Sequence, residues 1–242
     1  MSLLEEAREK LRVIIDEAGL HSGEAIDIVS TRDLTAKEAI GRPDRTDFPL
    51  LKGKEVMMQA TYRDCVGQAF TDQPAQFHGT LEEVLRLTFD TNHNRAVFVA
   101  TLNAVMRYLG KVQGTDHCKD KEPRLCARQL PEYITQHYGQ PKIAFVGYQP
   151  AMIEELVKHF KIKVSDLDPD NIGREKLGVL ISGPDNTAKN IDWADIVLTT
   201  GTVLVNDTLA ELERGKPVIF YGVTIAGLAA LFSLPRVCFY GR

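Results

Sequence analysis

No run of apolar residues in this sequence approaches the ~20 positions that a helix needs to cross a bilayer, so no membrane-spanning segment is expected. Positive charge is not in excess either: 29 Lys and Arg face 33 Asp and Glu, giving a formal net charge of −4 and a pI near 5.9. Neutralising phosphates requires a basic face, so no nucleic-acid partner is expected unless a basic patch is local. Cysteine is sparse, with four among 242 residues, which excludes a disulfide scaffold. The opening MSLLEEAREKLRVIIDEAG carries acids throughout and reads as a helix, not as an export signal. The expected location is therefore the cytoplasm, with thiols free for packing or metal. Also missing are G-x-G-x-x-G, a Walker A loop, H-E-x-x-H, a nucleophile elbow and the kinase set, together with any repeat or low-complexity tract.

What is present is ordinary globular material: 44% apolar and 26% charged residues in a chain of 27.0 kDa. Roughly 70% of the unfolded surface is buried at this size, enough for a core without staples. Leu3, Leu4, Ala7, Leu11, Ile14, Ile15 and Ala18 follow the spacing of an amphipathic helix closed by Gly19. Strands are expected over 25–30, 55–61 and 65–70, the last two forming a hairpin. Helices are expected over 81–89, behind Thr80, and over 92–109. Residues 111–140 show little periodicity until a short helix at 131–138. From Lys142 onward, apolar strands alternate with helices: strands in KIAFVGY, IKVSD, LGVLIS, ADIVLTTG, PVIFYG and RVCFYG, and helices in PAMIEELVKHF, VNDTLAELERG and VTIAGLAALF. That rhythm implies a mainly parallel sheet covered on both faces. The fold class is thus α/β, an α+β module over 1–139 followed by a Rossmann-like module over 140–242.

Ligands of such sheets bind where strands end and helices begin. The turn Gly147-Tyr148-Gln149-Pro150 is one such place, with Gly147 allowing close approach to backbone and Pro150 suited to a first helical turn. Asp166 lies 19 positions after Gly147, near the spacing of a ribose-binding acid. Alternatively, this loop is plain surface with an acidic tip. Thr199-Thr200-Gly201-Thr202 offers hydroxyls and backbone N–H groups to an anion at a helix start, or Thr202 simply caps the helix. Asn206 lies one helical turn beyond Thr202, and Tyr221-Gly222 ends a strand on the same rim. Asn103 carries an amide on an apolar helix face beside Ala96, Val99, Ala100 and Met106. It must have partners, either a loop that it pins or a ligand.

His117, Cys118 and Cys126, with His93 ahead of them, form the one His/Cys cluster, suited to zinc or a softer transition metal. Their spacing is not that of a zinc finger, and Cys also serves as a small buried hydrophobe. His117 and Cys118 would need an irregular turn to share an ion. His21, His78, His137 and His159 are scattered, and Cys65, Cys238 and Trp193 are expected in or beside the core.

KEVMMQATYRDCVGQAFTD, ATLNAVMRYLG, KIAFVGYQPAMIEEL and WADIVLTTGTVLVNDTLAELERGKPVIFYG, in that order, resemble the DUF364 family, which is named for heavy-metal chelation. The clearest matches are Gly67-Gln68-Ala69, Asn103-Ala104, Gly147 with its following helix, and Asp195 through Asn206. The resemblance implies an N-terminal half like that of enolases, a Rossmann-like C-terminal half and a ligand cleft between them. It also implies a link to metal handling or anaerobic cobalamin biosynthesis. One departure is Gly222-Val223-Thr224, where family members often carry a Gly-Pro-Ser-like turn. Two functions follow as expectations. In the first the chain binds a small molecule or metal ion in the cleft. In the second it is a transferase-like enzyme with a nucleotide-type cofactor such as S-adenosylmethionine. Homo-oligomerisation stays open.

Overall fold

The computed structural model describes residues 2–20, 28–53, 55–74 and 76–242, with the backbone alone at 28–30. Helix α1 (Leu3–Glu17) starts in a capping box: Glu5 N–H donates to Ser2 Oγ at 3.2 Å and Ser2 N–H to Glu5 Oε2 at 2.6 Å. It buries the single stripe Leu4, Ala7, Leu11 and Ile15. The same device, built on Thr35/Glu38 and Thr80/Glu83, starts α2 (Ala36–Ile40) and α4 (Leu81–Leu85). Strand β1 (Ile28–Leu34) covers the end of the expected 25–30 run, whose residues 25–27, like His21, lie outside the described residues. After α3 (Pro49–Lys52) come β2 (Val56–Tyr62) and β3 (Cys65–Thr71), a hairpin with Tyr62 opposite Cys65 and Arg63 at φ 50 in its turn. Strand β4 (Phe77–Thr80) completes an antiparallel sheet of order β3-β2-β1-β4. Helix α5 (Asn92–Tyr108) lies across β3 and β2.

Helix α6 (Glu122–Tyr138) is twice as long as the segment expected at 131–138. Its apolar stripe, Cys126, Ala127, Leu130 and Ile134, is helical in period but diluted by charge, and Pro131 inside it looked like a start. The second sheet then assembles from β5 (Ile143–Val146), β6 (Ile162–Ser165), β7 (Glu175–Lys176), β8 (Val179–Ser182), β9 (Ile196–Thr200), β10 (Val218–Tyr221) and β11 (Arg236–Val237). Its order is β11-β10-β9-β5-β6-β8-β7, parallel except for the β7–β8 hairpin, with α7 (Pro150–Leu156), α8 (Thr187–Trp193) and α9 (Ala226–Phe232) between strands. The mixed α/β class with a mainly parallel second sheet is therefore present. The helix expected in VNDTLAELERG is reduced to one short 3-10 turn, Leu209–Leu212, preceded by another, Gly201–Leu204, with Asp207 at a positive φ of 59 between them.

Strand residues alternate between two cores. Ala144, Val197 and Phe220 face the cluster shared with α1, α5 and the antiparallel sheet, whereas Ile143, Phe145, Leu198 and Ile219 face the cluster shared with α6 and α7. Two features lock the layers. A Cβ on Gly67 of β3 would meet Ala100 O and Ala104 N of α5 at 2.3 Å, so helix and strand touch backbone to backbone. One helical step away, Asn103 is fully buried. Its Nδ2 donates to Gln68 O (2.9 Å), Val223 O (3.1 Å) and Thr224 O (3.1 Å), and its Oδ1 accepts from Gly227 N–H (2.6 Å). Of the two roles expected for Asn103, the structure shows the pinned loop, as a structural knot: its amide is engaged by backbone groups of β3 and of the loop before α9.

Two substitutions test this knot. Gly67→Ala is expected to cost about 3 kcal/mol or to prevent folding, because backbone atoms block the new methyl. Asn103→Ala strands a buried N–H and three carbonyls and is expected to cost about 3 kcal/mol. Urea denaturation measures both. A loss below 1 kcal/mol in each would show that the layers are joined elsewhere.

Candidate functional site

Chain order reverses between β5 and β9: β6 and β8 lie on one side of β5, β9 and β10 on the other. Loops leaving the carboxyl ends of β5 and β9 diverge there, which is where open parallel sheets form a crevice. A cleft of about 200 Å3 occupies this point. Its floor is Val146, Gly147 and Tyr148 after β5, Asp166 after β6, Thr200 and Thr202 after β9, and Tyr221 and Gly222 after β10. The opposite wall is supplied by Phe48, Leu50, Lys52, Glu55 and Phe70, all from the first 110 residues.

The floor is held by local geometry. Gly147 sits at φ 92, and a Cβ there would meet Thr200 Cγ2 at 2.8 Å, so glycine is needed twice over. Gly222 likewise adopts φ 90. Tyr148 N–H, Asp168 N–H and Asn171 Nδ2 donate to the Asp166 carboxylate at 2.7, 2.9 and 3.0 Å, which ties the loops after β5 and β6 together. Thr200, not Thr202, caps the 3-10 turn: Thr202 N–H donates to Thr200 Oγ1 at 3.3 Å, and the two hydroxyls lie 3.0 Å apart. Asn206 lines the far end of the cleft, its N–H donating to Thr202 O at 2.9 Å. Gly201 does not line the cleft. A Cβ there would meet Ile225 N at 2.6 Å, so Gly201 serves the close packing of that loop. Thr224, in the turn that departs from the family pattern, accepts from Phe70 N–H at 3.2 Å and so holds that turn to β3.

His117, Cys118 and Cys126 line the end of the cleft beneath α6, joined by Cys238, which is half-buried, packs beside the core as expected and also borders the cleft. The segment that carries them is irregular, as sharing an ion would require, and is clamped. Gln68 accepts from His117 N–H (2.8 Å) and donates to Asp116 Oδ1 (2.7 Å), while Gln68 N–H donates to Thr115 O (3.0 Å). Burial lowers the His117 pKa, leaving a neutral imidazole whose Nδ1 has no hydrogen-bond partner. Burial, reinforced by the neighbouring thiols, raises Cys118 far above the usual thiol range. Burial also pushes Cys126 up to about 11. Both thiols are thus protonated at neutral pH. His93 is not on the cleft wall but near the start of α5. Among the described residues no group of three or more His, Cys, Asp or Glu is spaced to hold a metal ion. The expected four-residue chelate is thus not assembled: His93 belongs to another element, and the donor chemistry of the other three fits a soft metal while their spacing does not. His78, His137 and His159 are exposed.

Glu55, Asp168 and Cys238 were not legible as site residues. Glu55 precedes β2 without any local motif, and only the meeting of the two sheets brings it to the acids of the β6 loop. Burial first, then Asp166, Asp72 and Asp168, pushes its carboxyl up to about 7. Burial, then Asp166 and Glu55, likewise raises the Tyr221 phenol. Because folded Glu55 holds its proton above the ordinary value of 4.5, the folded state binds more protons between pH 4.5 and about 7. Stability falls as pH rises through that window and is level beyond it. Glu55→Gln is expected to gain about 1 kcal/mol at pH 8, reduced from the full linkage by partial exposure, and nothing at pH 4.5. Urea titrations at both pH values check this. An equal change at both would remove the Glu55 carboxylate as its cause.

Residues 132–235 match the model of the DUF364 family, described as "Putative heavy-metal chelation". Among solved structures, the fold is similar to that of a DUF364-family protein of unknown function from Pyrococcus horikoshii. That likeness has a TM-score of 0.56 and 15% identity, over 92% of this chain and 80% of that one. It is also similar to a DUF364-family protein of unknown function from Desulfitobacterium hafniense DCB-2, with a TM-score of 0.50 and 15% identity, over 73% of this chain and 72% of that one. No curated protein matches. Among the described residues, no helix is long and apolar enough to cross a membrane. Residues 132–235 thus match the DUF364 family model, and the fold is one that DUF364 structures share.

Proposed function

We propose that this chain binds a small molecule in the cleft between two modules that divide near 139–140, and that this molecule brings a soft transition-metal ion against the thiol wall. The observation that carries the reading is the convergence of Gly147, Tyr148, Asp166, Thr200, Thr202, Asn206 and Gly222 on one cleft at the reversal of strand order. Half-buried Gly147 and Gly222, which without side chains leave room for close approach, and a hydroxyl pair can orient a polar ligand on an otherwise apolar surface. His117, Cys118 and Cys126 supply soft donors at one end, and His117 Nδ1 is free to accept. Too few protein donors are spaced for a closed chelate, so the small molecule must complete the coordination sphere. A bound metal would supply Lewis acidity there. Cys118 and Cys126 would each surrender a proton to it, so uptake is expected to rise with pH.

A second reading, a transferase with a nucleotide-type cofactor such as S-adenosylmethionine, is favoured by one feature. Asp166 directly follows β6, the position of the ribose-binding acid in related sheets. Three donors already occupy its carboxylate, which leaves little capacity for two ribose hydroxyls.

Thermal-shift measurements with Zn2+ and Co2+, as free ions and as histidine complexes, and with S-adenosylmethionine test both readings. A metal complex at 100 times its Kd is expected to raise Tm by about 5 °C or more. That gain should vanish in Cys118→Ser/Cys126→Ser. A shift with S-adenosylmethionine that is lost in Asp166→Asn would favour the transferase, and no shift with any of them would refute both.

A further inference from the structure

The mouth of the cleft carries an arrangement that neither reading uses. Tyr148 and Lys52 line the cleft, and Lys176, which does not line it, reaches the same ring: Lys52 Nζ lies 6.0 Å and Lys176 Nζ 5.1 Å from the centroid. They come from different parts of the chain. Lys52 ends α3 in the first module, and Lys176 stands on β7, the edge hairpin whose tight turn is Leu177-Gly178 at φ 55 and 78. Among the described residues, neither ammonium is within ion-pair distance of a carboxylate. Lys176 is held by Asn171 Oδ1 at 2.5 Å, and Asn171 in turn donates to Asp166 on the cleft floor.

We infer that Lys52 and Lys176 form a clamp for an anionic group, a phosphate or a carboxylate, carried by the small molecule that occupies this cleft. The inference rests on the cleft being a ligand site and adds the charge class of the ligand. Two like charges brought over one ring repel each other, and an anion between them converts repulsion into two charge-assisted hydrogen bonds. Burial first, then Lys52 and Arg174, depress the Lys176 pKa against the opposing pull of Asp168 and Asp166. Lys142 and Lys163 also lie over one ring, that of Trp193, at 5.6 and 4.6 Å, but away from the cleft and with Lys142 within 3.9 Å of Asp195.

Isothermal titration with pyrophosphate and with malonate tests the clamp on the full chain. At least one is expected to bind the wild type, with a Kd that rises with ionic strength. Lys52→Ala/Lys176→Ala, or the milder Lys52→Gln/Lys176→Gln if the first unfolds, is expected to weaken it tenfold or more. Lys142→Ala/Lys163→Ala should leave it unchanged. Tighter pyrophosphate marks the group as phosphate, and tighter malonate marks it as carboxylate. The clamp is overturned if neither anion binds, or if the Lys52/Lys176 variant binds as well as wild type. If metal complexes or S-adenosylmethionine still shift that variant as they shift the wild type, the cleft reading survives without the clamp. If pyrophosphate depends on the two lysines while none of those ligands shifts the wild type, the clamp survives and the cleft reading falls.

Discussion

The structure depends on one buried amide. Asn103 sits where α5 crosses β3 and where the loop before α9 arrives, and its four hydrogen bonds reach three stretches of backbone. Such a residue contributes little in net terms when all its bonds are made, yet leaves several unpaired groups when it is removed. It fixes distance and angle at once. Gly67 makes that closeness sterically allowed, because only a residue without Cβ lets α5 rest on the strand backbone. Through Val223 and Thr224 the same knot sets the loop that follows Gly222, and through Gln68 it sets the segment that carries His117. The two edges of the cleft are therefore aligned by an interaction that never touches the ligand space.

Charge around the cleft is gathered into groups of like sign and not averaged. Asp166 and Asp168, on the β6 loop, and Glu55, from the first module, face one another, and the cost appears as the raised carboxyl of Glu55. Lys52 and Lys176 both lie over the Tyr148 ring, and burial first, then Lys52, lowers the Lys176 ammonium. Both are places where folding brings like charges together that a stability-driven arrangement would separate. Perturbed groups gathered at a concave site are a mark of binding chemistry, since the strain is relieved when a complementary group arrives.

At the opposite end the thiols are quiet. Burial keeps Cys118 and Cys126 protonated, and His117 neutral. Groups in that state pack like hydrophobes and are not spaced as a chelate. This wall can meet a soft ion that arrives with its own ligands far more readily than it can strip one from water.

The sequence by itself determined the elements and their sides. Continuous apolar runs in KIAFVGY and ADIVLTTG specify strands buried on both faces, a signal that each run carries within itself. Gly147, Tyr148, Asp166, Thr200, Thr202 and Gly222 were likewise legible, because strand ends followed by glycine or hydroxyl residues mark a crevice in any sheet of this class. The length of α6 and the 3-10 turns after β9 were obscured, the first by charge diluting its stripe and the second by a positive φ at Asp207 that no pattern announces. Tertiary structure alone decided that Asn103 would bind backbone and not ligand, that Gly201 would pack against Ile225, and that His93 would stand apart from His117. It alone brought Glu55 to Asp166 and Lys52 to Lys176. Residues over 100 positions apart share no local signal, and only the meeting of the two sheets sets the distances that fix their charge and their partners.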